Sequence, residues 1–235
     1  MTELEDRGLP LTALAVAAGR AVETSRADGL ITDPFALALV EAARSHVDFP
    51  TSWPTDPEAA SPLQQPLLLA SIYIAVRTRF IDDFLQSAPP TTQTVLLGAG
   101  LDTRAYRLPW PDGARVFEID HANVLEFKAG VLGRLSAQPA CALVTVATDL
   151  ALPWREPLTA AGFDPDQPMT ELLARADPPD PLELLGAEAW RCAAHSVQEL
   201  CLTYNRVLSL SAPGESTEAQ PASGQSRGGF VTALR

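Results

Sequence analysis

Cysteine and histidine are both scarce in this sequence, with three of each among 235 residues. No two cysteines form a CxxC pair, and no histidines form an HExxH or similar ligand pattern. These six residues are Cys141, Cys192, Cys201, His46, His121 and His195. The odd number and irregular spacing of the cysteines are typical of a reducing compartment rather than of a disulfide framework. We therefore expect a cytoplasmic protein that binds no structural zinc or other metal ion.

Positive charge is also in short supply, because the chain has 17 lysine and arginine residues against 29 aspartate and glutamate residues. The net charge of −12 repels phosphate backbones and anionic bilayers, so we expect no nucleic acid and no membrane as partner. The stretch MTELEDRGLP is acidic and unlike a signal peptide, and no apolar run reaches the length of a membrane span. With 46% hydrophobic residues, the chain can still bury the core of a full-sized domain.

Residues 1–90 have a helical pattern, which we interpret as an N-terminal cap with a lid. The alanine-rich stretch 11–27 predicts one helix, and "ITDPFALALVEAAR" predicts a second, with Asp33 as its cap and Pro34 in its first turn. Five prolines within residues 49–66 predict a loop, interpreted as a mobile lid. Residues 67–88 predict a long helix, which two following prolines end.

Short apolar runs replace the helical pattern in residues 91–170, which we interpret as the cofactor-binding half. "TVLLG" and "ARVFEID" predict strands that are covered on both faces, and "CALVTVATDL" predicts a third strand. "ANVLEFKAGVLGRL" predicts a helix between the second strand and the third. Strands that alternate with helices indicate a parallel sheet, so the predicted fold class is α/β.

The pattern is weaker in residues 171–235, which we interpret as a C-terminal strand–helix–strand remnant. "WRCAAH" and "FVTALR" predict two short strands. "SVQELCLTYNRVL" predicts a helix with Ser196 as N-cap and Glu199 three residues later, which together form a capping box. Residues 211–229 are low in complexity and predict a long loop or disorder.

Two glycines and two aspartates follow the predicted strands, where an open parallel sheet binds its ligands. Gly98 and Gly100 lie just past the first strand, and the absence of a Cβ lets the backbone turn sharply and approach a ligand. Asp120 ends the second strand, twenty residues after Gly100, and its carboxylate suits the two hydroxyls of a ribose. Asp149 ends the third strand and suits the amine of an adenine, on whose ring Leu150 would pack. Together these residues predict an adenosine site.

Each of these residues also has a simpler interpretation, which the sequence leaves open. The glycines could merely end a strand, Asp120 could cap the next helix, and Asp149 could serve in a turn. Their convergence at one edge of one sheet favours the ligand site. Arg104 and Arg107 favour salt bridges over catalysis, and because no nucleophile has a base partner in the sequence pattern, we assign no catalytic residue.

The residues after Gly100 discriminate among adenosine cofactors. A dinucleotide fingerprint has a third glycine where Thr103 stands, and Asp102 would place negative charge beside a diphosphate. S-adenosylmethionine has a zwitterionic tail and fits this turn better. An NAD-type oxidoreductase, and a Rossmann domain that binds no cofactor, remain alternatives on these residues alone.

The stretch "LLGAGLDTRAYRLPWPDGARVFEIDHANVLEFK" resembles the signature of the leucine carboxyl methyltransferase-like family of S-adenosylmethionine-dependent methyltransferases, in its bacterial branch. "ADGLITDPFALALVEAA", "AVRTRFIDDFL", "VATDL" and "AAGFDPDQP" resemble the same family in the same order. The resemblance implies a Rossmann-like class I methyltransferase sheet with an N-terminal helical cap. It also implies S-adenosyl-L-methionine as cofactor, with a small-molecule or protein methyl acceptor. Such a transfer requires alignment and exclusion of water more than acid–base groups.

The resemblance also implies which residues would hold the cofactor. These residues are Gly98 and Gly100 at the methionine part, Asp120 at the ribose, Asp149 and Leu150 at the adenine, and Arg77 at the carboxylate. Arg77 lies in "AVRTRF" and is similar to a helix arginine of the family, and Arg79 is the alternative for that position. A guanidinium suits a carboxylate because its fork can bond both oxygens.

The sequence departs from this family after "GFDPDQP". Family members continue with a fourth strand that carries an acid, whereas Met169 leads into a segment that resembles a later part of the family pattern. The resemblance therefore implies an internal deletion and a shortened central sheet, without a fourth strand beside the first. The two C-terminal strands could fill that gap. Otherwise the domain would be poorly stable or would pair with another chain. The sequence therefore leaves a homo-oligomer as a possibility. The alternative function is a degenerate, non-catalytic remnant with impaired or absent cofactor binding.

Overall fold

Helices form the first part of the chain, and a parallel sheet follows them. The computed structural model describes residues 9–43, 48–57, 61, 64–87, 92–167, 169–173, 191–206 and 229–234. The helices are α1 (Leu11–Thr24), α2 (Ala36–Ala43), α3 (Gln65–Ser87), the single turn α4 (Arg104–Arg107), α5 (Ala122–Arg134), α6 (Arg155–Ala160) and α7 (Val197–Thr203). The strands are β1 (Gln93–Leu97), β2 (Arg115–Asp120), β3 (Ala142–Ala147), β4 (Met169–Leu173), β5 (Arg191–Ser196) and β6 (Gly229–Leu234). His46 and residues 211–228 of the low-complexity segment lie outside the described residues.

The cap is built on the contact between α1 and α3. Gly19 of α1 faces Ile74 of α3 so closely that an added Cβ would lie 2.6 Å from the Ile74 Cδ1 atom. The small residues of α1 therefore allow the two helices to approach, and Ala17, Ala18 and Ala21 are buried. The proline-rich loop is attached to the end of α1, because Trp53 donates its backbone N–H to the Ser25 hydroxyl at 2.9 Å and its ring lies 4.1 Å from the Arg26 guanidinium.

The central sheet has four parallel strands in the order β3-β2-β1-β4. All five residues of β1 are buried, and so are the four middle residues of β2. Leu97, Phe117 and Ile119 belong to a core cluster on one face, and Leu96 and Val116 belong to another cluster on the opposite face. The prediction that these two strands are covered on both faces is confirmed, as is the α/β class with its helical cap.

The predicted gap beside β1 is wrong for this structure. Met169–Leu173 forms β4 and pairs with β1 in parallel, from Gln93 opposite Met169 to Leu97 opposite Leu173. The backbone edge of β1 needs a hydrogen-bonding partner, and a short segment of different sequence supplies one as well as the expected strand would. Glu171 stands opposite Val95, at mid-strand, so β4 brings no acid to the carboxyl end of β1 in this register. The division of the chain at residue 171 stays a prediction, and β4 crosses it.

The C-terminal segment forms its own hairpin and a short helix. β5 and β6 pair antiparallel in a separate two-stranded sheet, so they do not fill a position beside β1. The predicted capping box is confirmed, since Glu199 donates its N–H to the Ser196 hydroxyl and Ser196 donates its own N–H to the Glu199 carboxylate. After α7, Arg206 reaches the cap and donates to the Glu23 carboxylate at 2.8 Å. None of the helices in the described ranges has the length and apolar character that a membrane crossing requires.

Candidate cofactor-binding site

The turn after β1 has a backbone conformation that requires glycine at two positions. Gly98 and Gly100 have φ angles of +66° and +52°, in the left-handed region. A side chain there would cost about 1–3 kcal/mol of backbone strain. Space alone is not the reason, because an added Cβ at Gly100 would meet the Ala13 Cβ at an ordinary 3.5 Å. The glycines therefore do more than end the strand, and they give residues 98–103, here called the glycine turn, its shape.

Asp120 is tied directly to the glycine turn. Its Oδ2 atom accepts the N–H of Gly100 at 2.7 Å, and its Oδ1 atom accepts the N–H of His121 at 2.7 Å. His121 is the N-cap of helix α5, so the alternative interpretation of Asp120 as this cap is wrong. A carboxylate oxygen can accept a second hydrogen bond, so half-buried Asp120 keeps accepting capacity at the sheet edge.

Asp149 and Leu150 lie in the loop that follows β3. The strand ends at Ala147 rather than at Leu150, and the N–H of Thr148 donates to the Asp120 carbonyl at 3.0 Å, which keeps the loop beside the end of β2. Asp149 accepts the N–H of Ala151 at 2.8 Å, so the turn interpretation of this residue is correct for one of its oxygens. The Leu150 Cδ1 atom lies 3.8 Å from the position of a Cβ at Gly98. The structure therefore brings these residues to the same edge of the sheet as Asp120.

Arg77 and Arg79 lie on α3 but have different surroundings. The Arg79 Nε atom donates to Asp83 at 2.8 Å and its Nη1 atom to the Leu30 carbonyl at 3.2 Å, on the side of the helix that α7 contacts. Half-buried Arg77 makes neither a hydrogen bond nor an ion pair with any part of the chain that the structure describes. Burial lowers the pKa of Arg77 and the Arg104 guanidinium lowers it further, whereas Tyr73 and Asp102 oppose both effects. Arg77 therefore lies in the electrostatic field of the glycine turn.

Salt bridges attach the glycine turn to α3. The Arg104 guanidinium contacts the carboxylates of Asp82 and Asp102, and Arg107 donates to both oxygens of Asp82 at 2.7 and 2.9 Å. Burial alone would raise the pKa of Asp102, but attraction by Arg104, Arg20 and Arg107 outweighs it and holds that pKa well below its usual range. The prediction that Arg104 and Arg107 serve in salt bridges is confirmed. Asp102 is neutralised by them and does not face a ligand as a free charge.

Sequence reasoning missed the residues that hold this turn from outside. The sequence predicts Asp33 as a helix cap and shows Thr103 where a dinucleotide fingerprint has its third glycine. In the structure, the Thr103 hydroxyl donates to Asp33 at 2.7 Å. Arg20 donates to the carbonyl of Leu101 at 2.6 Å, and Lys128 donates to the carbonyl of Asp102 at 3.0 Å. Arg20 and Leu101 are 81 residues apart, and no local pattern pairs residues at such a distance.

A parallel α/β sheet with a glycine turn after β1 and an acid at the end of β2 defines a Rossmann-like nucleoside-binding class. Within that class, the chain belongs to the leucine carboxyl methyltransferase family, whose model matches residues 13–174. The match begins within α1 and extends through the rest of the described cap to the end of β4.

Curated relatives carry names that agree with this family. A Streptomyces avermitilis protein is 43% identical over 195 residues, which cover 79% of this chain and 67% of the relative. Proteins of Mycobacterium marinum and Mycolicibacterium smegmatis are 44% and 46% identical, over 67% of this chain and 52% and 53% of their own lengths. All three are named "putative S-adenosyl-L-methionine-dependent methyltransferase". The chain thus spans about half to two thirds of the length of the relatives it matches.

Proposed function

We propose that this chain binds S-adenosyl-L-methionine at the carboxyl ends of β1, β2 and β3 and transfers its methyl group to an acceptor. The observation that carries the proposal is the 2.7 Å hydrogen bond from the Gly100 N–H to the Asp120 Oδ2 atom. It joins the turn that would meet the methionine part to the acid that would meet the ribose. Family membership and the names of the relatives support the same activity.

The residues at this edge fit the chemistry of the cofactor. Asp120 has accepting capacity for the two ribose hydroxyls, and Leu150 offers an apolar side chain to the adenine, with the second oxygen of Asp149 available for its amine. Arg77 offers a guanidinium that forms no ion pair within the described ranges, which suits the carboxylate of the methionine part. Arg79 is already paired, so we assign the carboxylate to Arg77.

When bound, the cofactor would supply a sulfonium methyl group whose carbon an acceptor nucleophile attacks in line, with the thioether S-adenosylhomocysteine as the leaving group. The chain itself contributes binding and orientation. The Arg104 and Arg107 salt bridges with Asp82 hold the glycine turn against α3, and the Leu150 side chain lies beside Gly98. No protein base is assigned, because the reaction gains most of its rate from alignment.

Calorimetric titration of the purified chain with S-adenosylhomocysteine tests this proposal. We expect dissociation constants in the micromolar range, and no binding of NAD at the same concentrations. A folded sample, verified by circular dichroism, that binds neither molecule would refute the cofactor assignment. Binding of S-adenosylhomocysteine without methyl transfer to any tested acceptor would favour the degenerate remnant, for which the position of Glu171 at mid-strand in the described part of β4 provides a structural reason.

The two α3 arginines supply a matched pair of variants. We expect Arg77→Met to weaken binding of S-adenosylhomocysteine about 10- to 100-fold, because a hydrogen bond to a charged group contributes about 1.5–3 kcal/mol. Arg79→Met removes the same charge two residues away. It breaks a partly exposed ion pair with Asp83 and a hydrogen bond to the Leu30 carbonyl, neither of which belongs to the proposed site, so we expect its affinity to stay within about twofold of wild type. The reverse order of affinities would assign the carboxylate to Arg79.

Charge limits the kind of acceptor and the location that we propose. A net charge of −12 favours a small molecule or a protein over a nucleic acid as acceptor. We also propose a cytoplasmic location, which the three irregularly spaced cysteines support. Measuring transfer from radiolabelled cofactor to fractionated small metabolites, proteins and RNA separates these acceptor classes, and label in the RNA fraction would contradict the expectation.

A further inference from the structure

Three residues form a buried polar cluster between the cap and the sheet. Asp33 enters from the segment before α2, Arg20 from α1, and Thr103 from the glycine turn. The Asp33 Oδ2 atom accepts from the Arg20 Nε atom at 2.7 Å and from the Thr103 hydroxyl at 2.7 Å. Asp33 and Thr103 are each 1% exposed and Arg20 is 5% exposed, so water does not compete for the contacts. We call them the Asp33 cluster.

The Asp33 cluster is itself held from the cap side. Asp33 accepts the N–H of Phe35 at 3.1 Å on Oδ1 and donates its own N–H to the Thr24 hydroxyl at 2.9 Å. Thr24 is the last residue of α1, and Phe35 immediately precedes α2. Contacts at the end of α1 and at the start of α2 therefore fix the position of the Asp33 carboxylate, which also contacts the glycine turn. Burial alone would raise the pKa of Asp33, but attraction by Arg20 outweighs it and keeps that pKa below its ordinary value.

The cluster acts on the glycine turn at two neighbouring points. The Arg20 Nη2 atom donates to the Leu101 carbonyl at 2.6 Å, and the Thr103 side chain donates to Asp33 two residues later. From α5, Lys128 donates to the Asp102 carbonyl at 3.0 Å. Leu101 directly follows Gly100, whose N–H is bonded to Asp120. Arg20 and Lys128 thus hold two successive carbonyls of the glycine turn. The same turn is bonded to the Asp120 carboxylate, which would face the ligand.

We infer that Asp33, Arg20 and Thr103 are positioning residues through which the cap sets the conformation of the glycine turn for cofactor binding. None of the three is assigned a contact with the cofactor, and the inference rests on the proposed function of the site. The cap then has a role in affinity for the cofactor besides that of covering the sheet. Thr103 is the point at which this role can be tested, because the Arg20–Asp33 ion pair survives its replacement.

The test compares Thr103→Val, Thr103→Ser and Thr94→Val in the full chain. Thr103→Val keeps the side-chain volume but removes the hydroxyl donor, and Thr103→Ser restores that donor. Thr94 is equally buried, at 3%, and lies near the amino end of β1, so Thr94→Val is the matched control at the far edge of the sheet. The readouts are affinity for S-adenosylhomocysteine by calorimetry, melting temperature, and hydrogen exchange of the Gly100 amide without ligand.

We expect Thr103→Val to weaken binding about tenfold and to speed Gly100 amide exchange by a similar factor, since it leaves a buried acceptor without its donor. Thr103→Ser should stay within about twofold of wild type, and Thr94→Val should leave the affinity and the Gly100 amide exchange unchanged. Wild-type affinity and exchange in Thr103→Val, or equal losses in Thr94→Val, would overturn the inference. Failure of the proposed function looks different: wild type itself would not bind, while the exchange readout would still report whether Thr103 holds the turn.

Discussion

Asp120→Ala is expected to lower affinity for S-adenosylhomocysteine by at least about 100-fold. The carboxylate would accept two hydrogen bonds from the ribose, and each hydrogen bond to a charged group contributes about 1.5–3 kcal/mol. The substitution also removes the acceptor of the Gly100 N–H, whose 2.7 Å bond ties the glycine turn to β2. Loss of the ligand contact and loosening of the turn act in the same direction. Calorimetric titration measures the result directly.

Asp112→Ala provides the control for the change in charge. Asp112 is exposed in the turn before β2, so it lies at the amino end of the strand that Asp120 ends. Both substitutions remove one negative charge from a chain of net charge −12. We expect Asp112→Ala to keep wild-type affinity within about twofold. Equal affinities in the two variants would show that the carboxyl end of β2 does not hold the nucleoside.

Lys128→Met is expected to destabilise the fold by about 3–5 kcal/mol, the usual cost of leaving one member of a buried ion pair without its partner. Lys128 is the one lysine in the sequence, and it donates to the Glu118 Oε2 atom at 2.7 Å. Glu118 is 0% exposed, and its Oε1 atom has no hydrogen-bond partner within the described residues. Since domains are stable by about 5–15 kcal/mol, the variant should unfold at much lower denaturant concentration. Urea unfolding followed by circular dichroism measures the change.

The effect of Lys128→Met should depend on pH in a direction that Glu118 sets. Burial raises the pKa of Glu118 above its ordinary value, although Lys128 opposes the shift. The folded chain therefore binds a proton that the unfolded chain releases, so this group favours folding at low pH and that contribution is lost as pH rises through the folded pKa. Without Lys128 the pKa of Glu118 should rise further, because the group that opposes the effect of burial is gone. The destabilisation should thus be smaller at about pH 5 than at about pH 8.

Two further variants separate the ion pair from the general effect of substitution on α5. Arg134→Met removes a basic side chain from the exposed end of the same helix and should change stability by less than about 1 kcal/mol. Replacing both members of the pair, Glu118→Leu with Lys128→Met, should recover most of the loss, because no unpaired charge then remains buried. If the double variant were less stable than Lys128→Met, the buried charge would not be the cause.

The elements that could be predicted from the sequence are those whose pattern is local. The apolar runs of β1 and β2 and the Ser196–Glu199 capping box depend on residues within a few positions of one another, and these predictions are confirmed. The convergence of Gly98, Gly100 and Asp120 on one edge follows from parallel pairing of two neighbouring strands. The end of β3 was placed three residues too late, because Asp149 turns the chain through its own hydrogen bond with the Ala151 N–H.

The fourth strand shows why the family pattern could mislead. Comparison with that pattern indicated that the segment beside β1 was lost, but pairing in a sheet depends on backbone groups that every residue except proline supplies. Met169–Leu173 satisfies the edge of β1 without the expected residue types. The side chains of a strand determine its chemistry, and its backbone alone is enough to complete a sheet. An absent motif therefore does not by itself predict an absent strand.

By itself the sequence determined the α/β class, the family, and the glycine–aspartate spacing of the site, because periodicity and spacing are properties of the chain alone. Only the tertiary structure decided that Arg77, unlike Arg79, has no hydrogen-bond or ion-pair partner among the described residues, and that Arg20, Asp33 and Thr103 meet around the glycine turn. Both arginines have the same chemistry and lie two residues apart. What distinguishes them is which face of α3 the rest of the protein covers, and that depends on contacts between residues far apart in sequence.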